Sequence, residues 1–251
     1  VKEDAVATPG VRAAIHSSAS GDEAGGDLYY FSVCAYDTLT RIAVADVRGH
    51  GAPVRHLSEW LYTALERRMN EADGAAVLTD LNEIVRKRGF EALTTAVVAT
   101  LDRDRRTAAY AYAGHPPALL WRAGQGWRTL DVRAAEGPAN LPLGVLSGAR
   151  YTQQKVPVLP GDRLFLYTDG VSECPGPSGA LFGDAALGAA LEQMSDAPLG
   201  QARDALRQEL VSYSGEALTH DDCTFLLVET LPAPPVWKRR WLPGRPPVAS
   251  R

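Results

Sequence analysis

Cysteine is scarce in this chain. Its 251 residues hold only Cys34, Cys174 and Cys223, an odd number without metal-type spacing. Reduced thiols are expected, with Cys34 and Cys223 buried on strand patterns. There is no His or Cys cluster of the kind that holds a transition metal. No apolar run approaches membrane-spanning length and no signal peptide is visible, so a cytoplasmic protein without an integral membrane segment is the expectation. Internal repeats are missing too. Acidic residues are absent from Leu231 to Arg251, where five basic ones lie, so the overall charge of −4 leaves −9 on the preceding body. An acidic body argues against nucleic acid as a partner and is compatible with a site that collects divalent cations. The initial Met is lacking as well, and the corresponding expectation is an excised or processed segment whose regulatory domain is missing.

What is present describes an ordinary globular protein, 45% hydrophobic and 22% charged, with length for one sizeable domain. Residues 1–10 read as a leader, 11–230 as the domain, and 231–251 as a Pro-rich basic tail. That tail reads first as solvated and disordered, and otherwise as a contact for a partner or a membrane surface. Apolar alternation places strands at Val11–Ser17, Leu28–Ala35, Thr40–Ala45, Leu93–Leu101 and Thr107–Ala113, then Ala118–Trp121, Trp127–Leu130 and Tyr151–Val158. Two more run from Arg163 into Asp169 and from His220 to Val228. Helical periods occupy Pro53 to about Leu65, Asp73–Arg88, Ala185–Met194 and Leu199–Tyr213. Strands that come as hairpins and helices that come in separated pairs predict an α+β fold of antiparallel sheets. With each helix pair covering a sheet, the layers run helix, sheet, sheet, helix.

Four acids recur at strand ends: Asp27, Asp46, Asp169 and Asp221, with Asp222 beside the last. One Asp before a glycine-containing turn is ordinary turn chemistry. Several suggest a site, and the hairpin from Leu28 to Ala45 brings Asp27 and Asp46 to one sheet end, where two carboxylates repel unless a proton or cation lies between them. Carboxylate, carbonyl and water oxygens suit Mg²⁺ or Mn²⁺. A two-metal centre, roughly 3.5–4 Å across, neutralises phosphoryl oxygens and activates water for in-line attack on phosphorus. His115, between Gly114 and Pro116-Pro117, reads as a turn residue or as a ligand.

These acids lie within a series of motifs. They are Gly25-Gly26-Asp27, Asp46-Val47-Arg48-Gly49-His50-Gly51, Ala113-Gly114-His115-Pro116-Pro117, Leu141-Pro142-Leu143-Gly144, the run Pro160 to Val171 with Thr168-Asp169-Gly170, and Asp221-Asp222-Cys223-Thr224. In these motifs and their order the chain resembles the PPM-type, metal-dependent protein serine/threonine phosphatases, in the SpoIIE-like branch of bacterial sporulation and stress-response sigma-factor regulators. The resemblance covers about Val11 to Thr230. It implies a four-layer αββα sandwich with two Mn²⁺ or Mg²⁺ ions at one end of the paired sheets. Asp46 would bridge them, Asp169 and Asp221 would complete one, and Asp27 with the Val47 carbonyl would hold the other. Asp46, Asp169 and Asp221 would thereby be the catalytic acids, with Asp222 behind them. The implied activity is hydrolysis of phosphoserine or phosphothreonine on a regulatory protein, commonly an anti-sigma-factor antagonist in a partner-switching pathway. The helices of residues 53–88 would offer a face for a homodimer or a regulatory switch.

Departures from the family pattern keep a second reading open. Tyr30 occupies a position where relatives carry Asp, so a pseudophosphatase that binds a phosphoprotein without turnover is the alternative. Arg48 stands where small residues are frequent; it reads either as a substrate-binding residue that contacts phosphate in a bidentate manner or as a solvated turn residue. His50 reads as a turn stabiliser ahead of a proton donor. A diguanylate cyclase reading of Gly25-Gly26-Asp27 leaves the other acids unexplained.

Overall fold

The computed structural model describes residues 2–20, 25–33, 38–49, 52–71, 73–131, 140–215, 218 and 220–232. Cys34, His50 and the tail beyond residue 232 lie outside the described residues. In chain order the strands and helices are β1 (Lys2–Ala7), β2 (Val11–Ser18), β3 (Asp27–Val33), β4 (Leu39–Val47), α1 (Ala52–Glu66) and α2 (Gly74–Arg88). A 3-10 turn at Phe90–Ala92 leads into β5 (Thr94–Asp102), β6 (Thr107–Ala113), β7 (Leu119–Arg122), β8 (Gly126–Thr129) and β9 (Gln153–Pro157). The chain continues through β10 (Arg163–Tyr167), α3 (Asp169–Ser172), α4 (Gly183–Gln193), α5 (Leu199–Ser214) and β11 (Cys223–Thr230).

Two antiparallel sheets face each other, ordered β1-β2-β11-β10-β7-β8 and β3-β4-β5-β6-β9. Three apolar layers separate the elements. Ile15, Val44, Val97, Leu166 and Leu226 fill the space between the sheets. Ala43, Ala45 and Val98 turn the other way, onto Leu61 and Leu65 of α1 and Leu78 and Leu81 of α2. Phe165, Phe225 and Leu227 meet Leu191 of α4 and Leu206 and Leu210 of α5. The central strands are therefore apolar on both faces, and the four-layer sandwich expected from the sequence is the fold observed.

The residues expected as a leader differ. Lys2–Ala7 is strand β1, paired along β2 from Lys2 opposite Ser17 to Ala7 opposite Arg12. Val6 packs against the inter-sheet layer, and Tyr29 donates a hydrogen bond to Asp4. A charged strand at a sheet edge carries little apolar alternation, which is why it escaped pattern reading. The strand expected to run through Asp169 also ends earlier, at Tyr167. Thr168 is extended, and Asp169 opens the one-turn helix α3.

Candidate metal centre

The β3–β4 hairpin sets Asp27 directly opposite Asp46. Side chains alternate along a strand, so Asp27 shares the inter-sheet face with Tyr29 and Phe31, and Asp46 shares it with Val44 and Ile42. Both acids are half-buried, at the rim of the cleft between the sheets. Asp169 and Asp221 come from the other sheet, at the end of β10 and ahead of β11, two strands that are themselves paired. His220 Nε2 lies 2.9 Å from the Gly170 carbonyl, and the Asp221 carboxylate accepts from the Asp222 amide at 2.8 Å, so the two acidic loops are tied together.

The charge is concentrated. Burial raises the Asp46 carboxyl to about 7, and the carboxylates of Asp169, Asp221 and Asp222 push in the same direction. Asp27 is held well above the usual carboxylate range, first by burial and then by Asp46, against the opposing hydrogen bond from Thr168. Asp169 is raised by burial, then by Asp221 and Glu173. No cationic side chain among the described residues offsets this charge at Asp27, Asp46 or Asp169. As the side chains stand, no three His, Cys, Asp or Glu groups among the described residues form a ready coordination shell. Hard oxygen donors converging without a counter-charge nevertheless fit divalent cations in chemistry and electrostatics.

Asp222 does something else. Its Oδ1 accepts from the Ser20 amide at 2.8 Å, while Oδ2 accepts from the amide of Gly26 and, at 3.4 Å, from that of Asp27. It therefore holds the start of β3 from behind, across the gap between the sheets. Pattern reading missed Thr168, which is fully buried. Its hydroxyl donates to Asp27 Oδ2 at 2.8 Å and accepts from the Thr224 amide at 3.0 Å, linking the two sheets beneath the acids. The only signal for it in the sequence was its place next to Asp169.

Close approach of a carbonyl oxygen demands glycine at Gly26 and Gly170. A Cβ at Gly26 would meet the Val47 carbonyl oxygen at 2.3 Å, and one at Gly170 would meet the Asp222 carbonyl oxygen at 2.0 Å. The Val47 carbonyl thus lies against the Gly26 turn, and Val47 N–H donates to Gly26 O at 3.2 Å.

Other candidates separate out. His115 is buried and held neutral, its pKa pushed down to about 3 by burial; its Nδ1 lies 2.9 Å from the hydroxyl of Thr95, the residue opposite Asp46 on β5. It braces the neighbouring strand as part of a turn. Leu143 bridges to Thr94, and Asn82 of α2 accepts from the Gly144 amide at 2.9 Å, so the Leu141–Gly144 motif anchors α2 against the end of β5. Tyr30 stands on the opposite face of β3 from Asp27. Its ring packs edge-on against Tyr62 of α1, with centroids 5.5 Å apart, alongside the core below that helix. Arg48 is exposed just past Asp46, its guanidinium 5.5 Å from the centre of the Phe90 ring.

Comparison with known proteins agrees with this architecture. The chain is 27% identical over 219 residues to the phosphoserine phosphatase RsbP of Bacillus subtilis, covering 84% of this chain and 50% of RsbP. It is 29% identical over 166 residues to the phosphoserine phosphatase RsbU of the same organism, covering 65% of this chain and 48% of RsbU. The chain thus spans about half the length of these curated relatives. Among solved structures, the SiaA-PP2C domain of Pseudomonas aeruginosa superposes with a TM-score of 0.75 at 26% identity, covering 86% of this chain and 85% of that domain. The family model for Stage II sporulation protein E (SpoIIE) matches residues 36–231, which include Asp46, Asp169 and Asp221; the chain belongs to the SpoIIE family and has the PP2C fold.

Proposed function

We propose that this domain is a metal-dependent phosphoprotein phosphatase that hydrolyses phosphoserine or phosphothreonine on a regulatory protein. The observation that carries the reading is the uncompensated charge around Asp46, whose carboxyl is raised to about 7 by burial and by three further carboxylates at the mouth of a PP2C-type sandwich. Asp46 would bridge two Mn²⁺ or Mg²⁺ ions, with Asp169 and Asp221 completing one site and Asp27 and the Val47 carbonyl contributing to the other. When bound, such ions neutralise the phosphoryl oxygens and make a water nucleophilic near neutral pH.

The chain's own groups supply the rest. Thr168 fixes the Asp27 carboxylate through its 2.8 Å hydrogen bond, and Asp222 fixes the turn that delivers it. Arg48, exposed two residues after Asp46, would take the phosphoryl group of an incoming protein in a bidentate contact. The departing serine oxygen would take its proton from water; His115 is neutral and occupied at Thr95.

The substrate class that fits the family is an anti-sigma-factor antagonist in a partner-switching pathway, which makes the setting cytoplasmic. No helix among the described residues is long and apolar enough to cross a membrane. The binding-only alternative leaned on Tyr30, and that side chain packs on α1, away from the acids.

The test is hydrolysis of an aryl phosphate and a phosphoserine peptide while Mn²⁺ is titrated from zero. Turnover should require the metal and fall by about 10³-fold or more in Asp46→Ala and Asp169→Ala, the scale of losing electrostatic stabilisation of the transition state. Metal-independent turnover, or variants as active as the parent, would refute the mechanism. A folded protein that neither turns over substrate nor binds Mn²⁺ in calorimetry would leave the binding-module reading in its place.

A further inference from the structure

A ledge of unusual composition adjoins the acids. Helix α2 ends in Arg86, Lys87 and Arg88, all exposed, on a body that is otherwise net acidic. The turn that follows presents Phe90, 69% exposed, the most exposed large apolar side chain among the described residues. Arg48 lies over its ring, and the Arg48 amide donates to Leu93 O at 2.8 Å, so strand end and turn are joined. On the far side of Leu93 and Thr94 the loop after Leu143 carries Val145 and Leu146, 49% and 43% exposed. That loop is not slack: Asn82 Nδ2 donates to Leu146 O at 2.9 Å, and Glu83 accepts from the Gly148 amide at 2.9 Å.

We propose that Arg48, Phe90, Val145 and Leu146 form the docking ledge for the substrate protein, which lays an apolar residue flanking its phosphoserine between the Phe90 ring and the Val145–Leu146 loop. This rests on the phosphatase reading above and adds a substrate class to it. Three features commit the ledge to that occupant. It is continuous with the acid cluster, since Arg48 is two residues from Asp46 in the chain. Its apolar centre has an edge that stays net basic, since Glu83 pairs with only one of the three cations, Arg86, at 3.2 Å, and this complements a phosphorylated, acidic segment and opposes a basic one. Its rigid support from α2 presents the side chains without a further ordering cost. A guanidinium stacked on an aromatic face keeps its N–H edge free for phosphate oxygens, so Phe90 also aims Arg48.

The experiment compares two fluorescent phosphoserine peptides that differ only in having leucine or glycine on either side of the phosphoserine. Binding to the full chain is read by anisotropy and turnover by kcat/KM at saturating Mn²⁺. The leucine peptide should bind about 10-fold tighter, the scale of burying one such side chain on a partly open surface. Phe90→Ala should reduce that preference to within about 2-fold, and the double change Val145→Ser with Leu146→Ser should do the same; all three positions are exposed, so the fold is retained. A parent protein without the preference, or a Phe90→Ala protein that keeps it, overturns the proposal. So does a dimer in sedimentation that Phe90→Ala dissociates while the peptide preference is unchanged, since the ledge then belongs to a second copy. A binding preference that Phe90→Ala abolishes, in a protein with no turnover of either peptide, supports the ledge and sinks the phosphatase reading instead.

Discussion

Asp46→Asn should stabilise the metal-free domain. The carboxyl is raised from 3.8 to about 7, chiefly by burial and then by Asp169, Asp221 and Asp222. The folded state therefore binds a proton more tightly than the unfolded chain, and stability must fall as pH rises between those values. Below about pH 4 both states are protonated and Asp46 costs nothing. Above about pH 7 the carboxylate is ionised in both, and the full penalty applies. A shift of this size corresponds to a ceiling of roughly 4 kcal/mol. The side chain is only half-buried and its neighbours relax, so about 2 kcal/mol is the working figure, or roughly 4–8 °C in Tm for a domain of this length. Asparagine keeps the shape of the protonated acid and never ionises. Thermal unfolding with chelator, from pH 4 to pH 8, should show the Asn variant gaining on the parent through that window and levelling off above pH 7. Added Mn²⁺ should raise the Tm of the parent and leave the variant nearly unmoved. A variant less stable than the parent at pH 8, or a difference that does not change with pH, would refute the account of the acid cluster.

Thr168→Val keeps the volume while removing the donor to Asp27 and the acceptor of the Thr224 amide. A loss of about 2–4 kcal/mol in denaturant unfolding is expected, with Thr168→Ser recovering most of it. Gly170→Ala should cost activity before stability, because the new methyl meets the Asp222 carbonyl and displaces Asp169 with it. A fall in kcat/KM of about 10²-fold, with unfolding changed by no more than about 3 kcal/mol, is the expected outcome of metal-saturated assays. Asn82→Ala should lose about 2–3 kcal/mol by leaving the Gly144 amide, the Leu146 carbonyl and the Tyr151 hydroxyl without their partner, measured by the same unfolding titration.

Much of this molecule can be read from residue order alone, because its core strands obey simple rules. The apolar runs through Leu39–Val47 and Thr94–Asp102 and the helical period of Gly74–Arg88 survive into the structure almost unshifted. The facing of Asp27 and Asp46 follows from a hairpin whose register the pattern fixes. What escaped depends on contacts between distant segments. Strand β1 has too few apolar residues to announce itself. Thr168 looks like any threonine in a strand until Thr224 and Asp27 arrive beside it. Asp222 resembles its neighbour Asp221, and only the amides of Ser20 and Gly26 reveal that it holds a turn. Tyr30 seemed to threaten the site because the motif places it near Asp27; the pleat puts it on the other side of the sheet.

The position of β11 has a consequence for synthesis. It is the last strand among the described residues, yet it lies between β2 and β10, near the middle of its sheet. The segment just before it carries both Asp221 and the carboxylate that grips the Gly26 turn. A nascent chain still inside the ribosome at Asp221 therefore has a gap in the six-stranded sheet and an incomplete set of acids, however long its N-terminal half has been free. Placing that strand fills the gap between β2 and β10 and brings Asp221 and Asp222 to the acids of the other sheet in the same step.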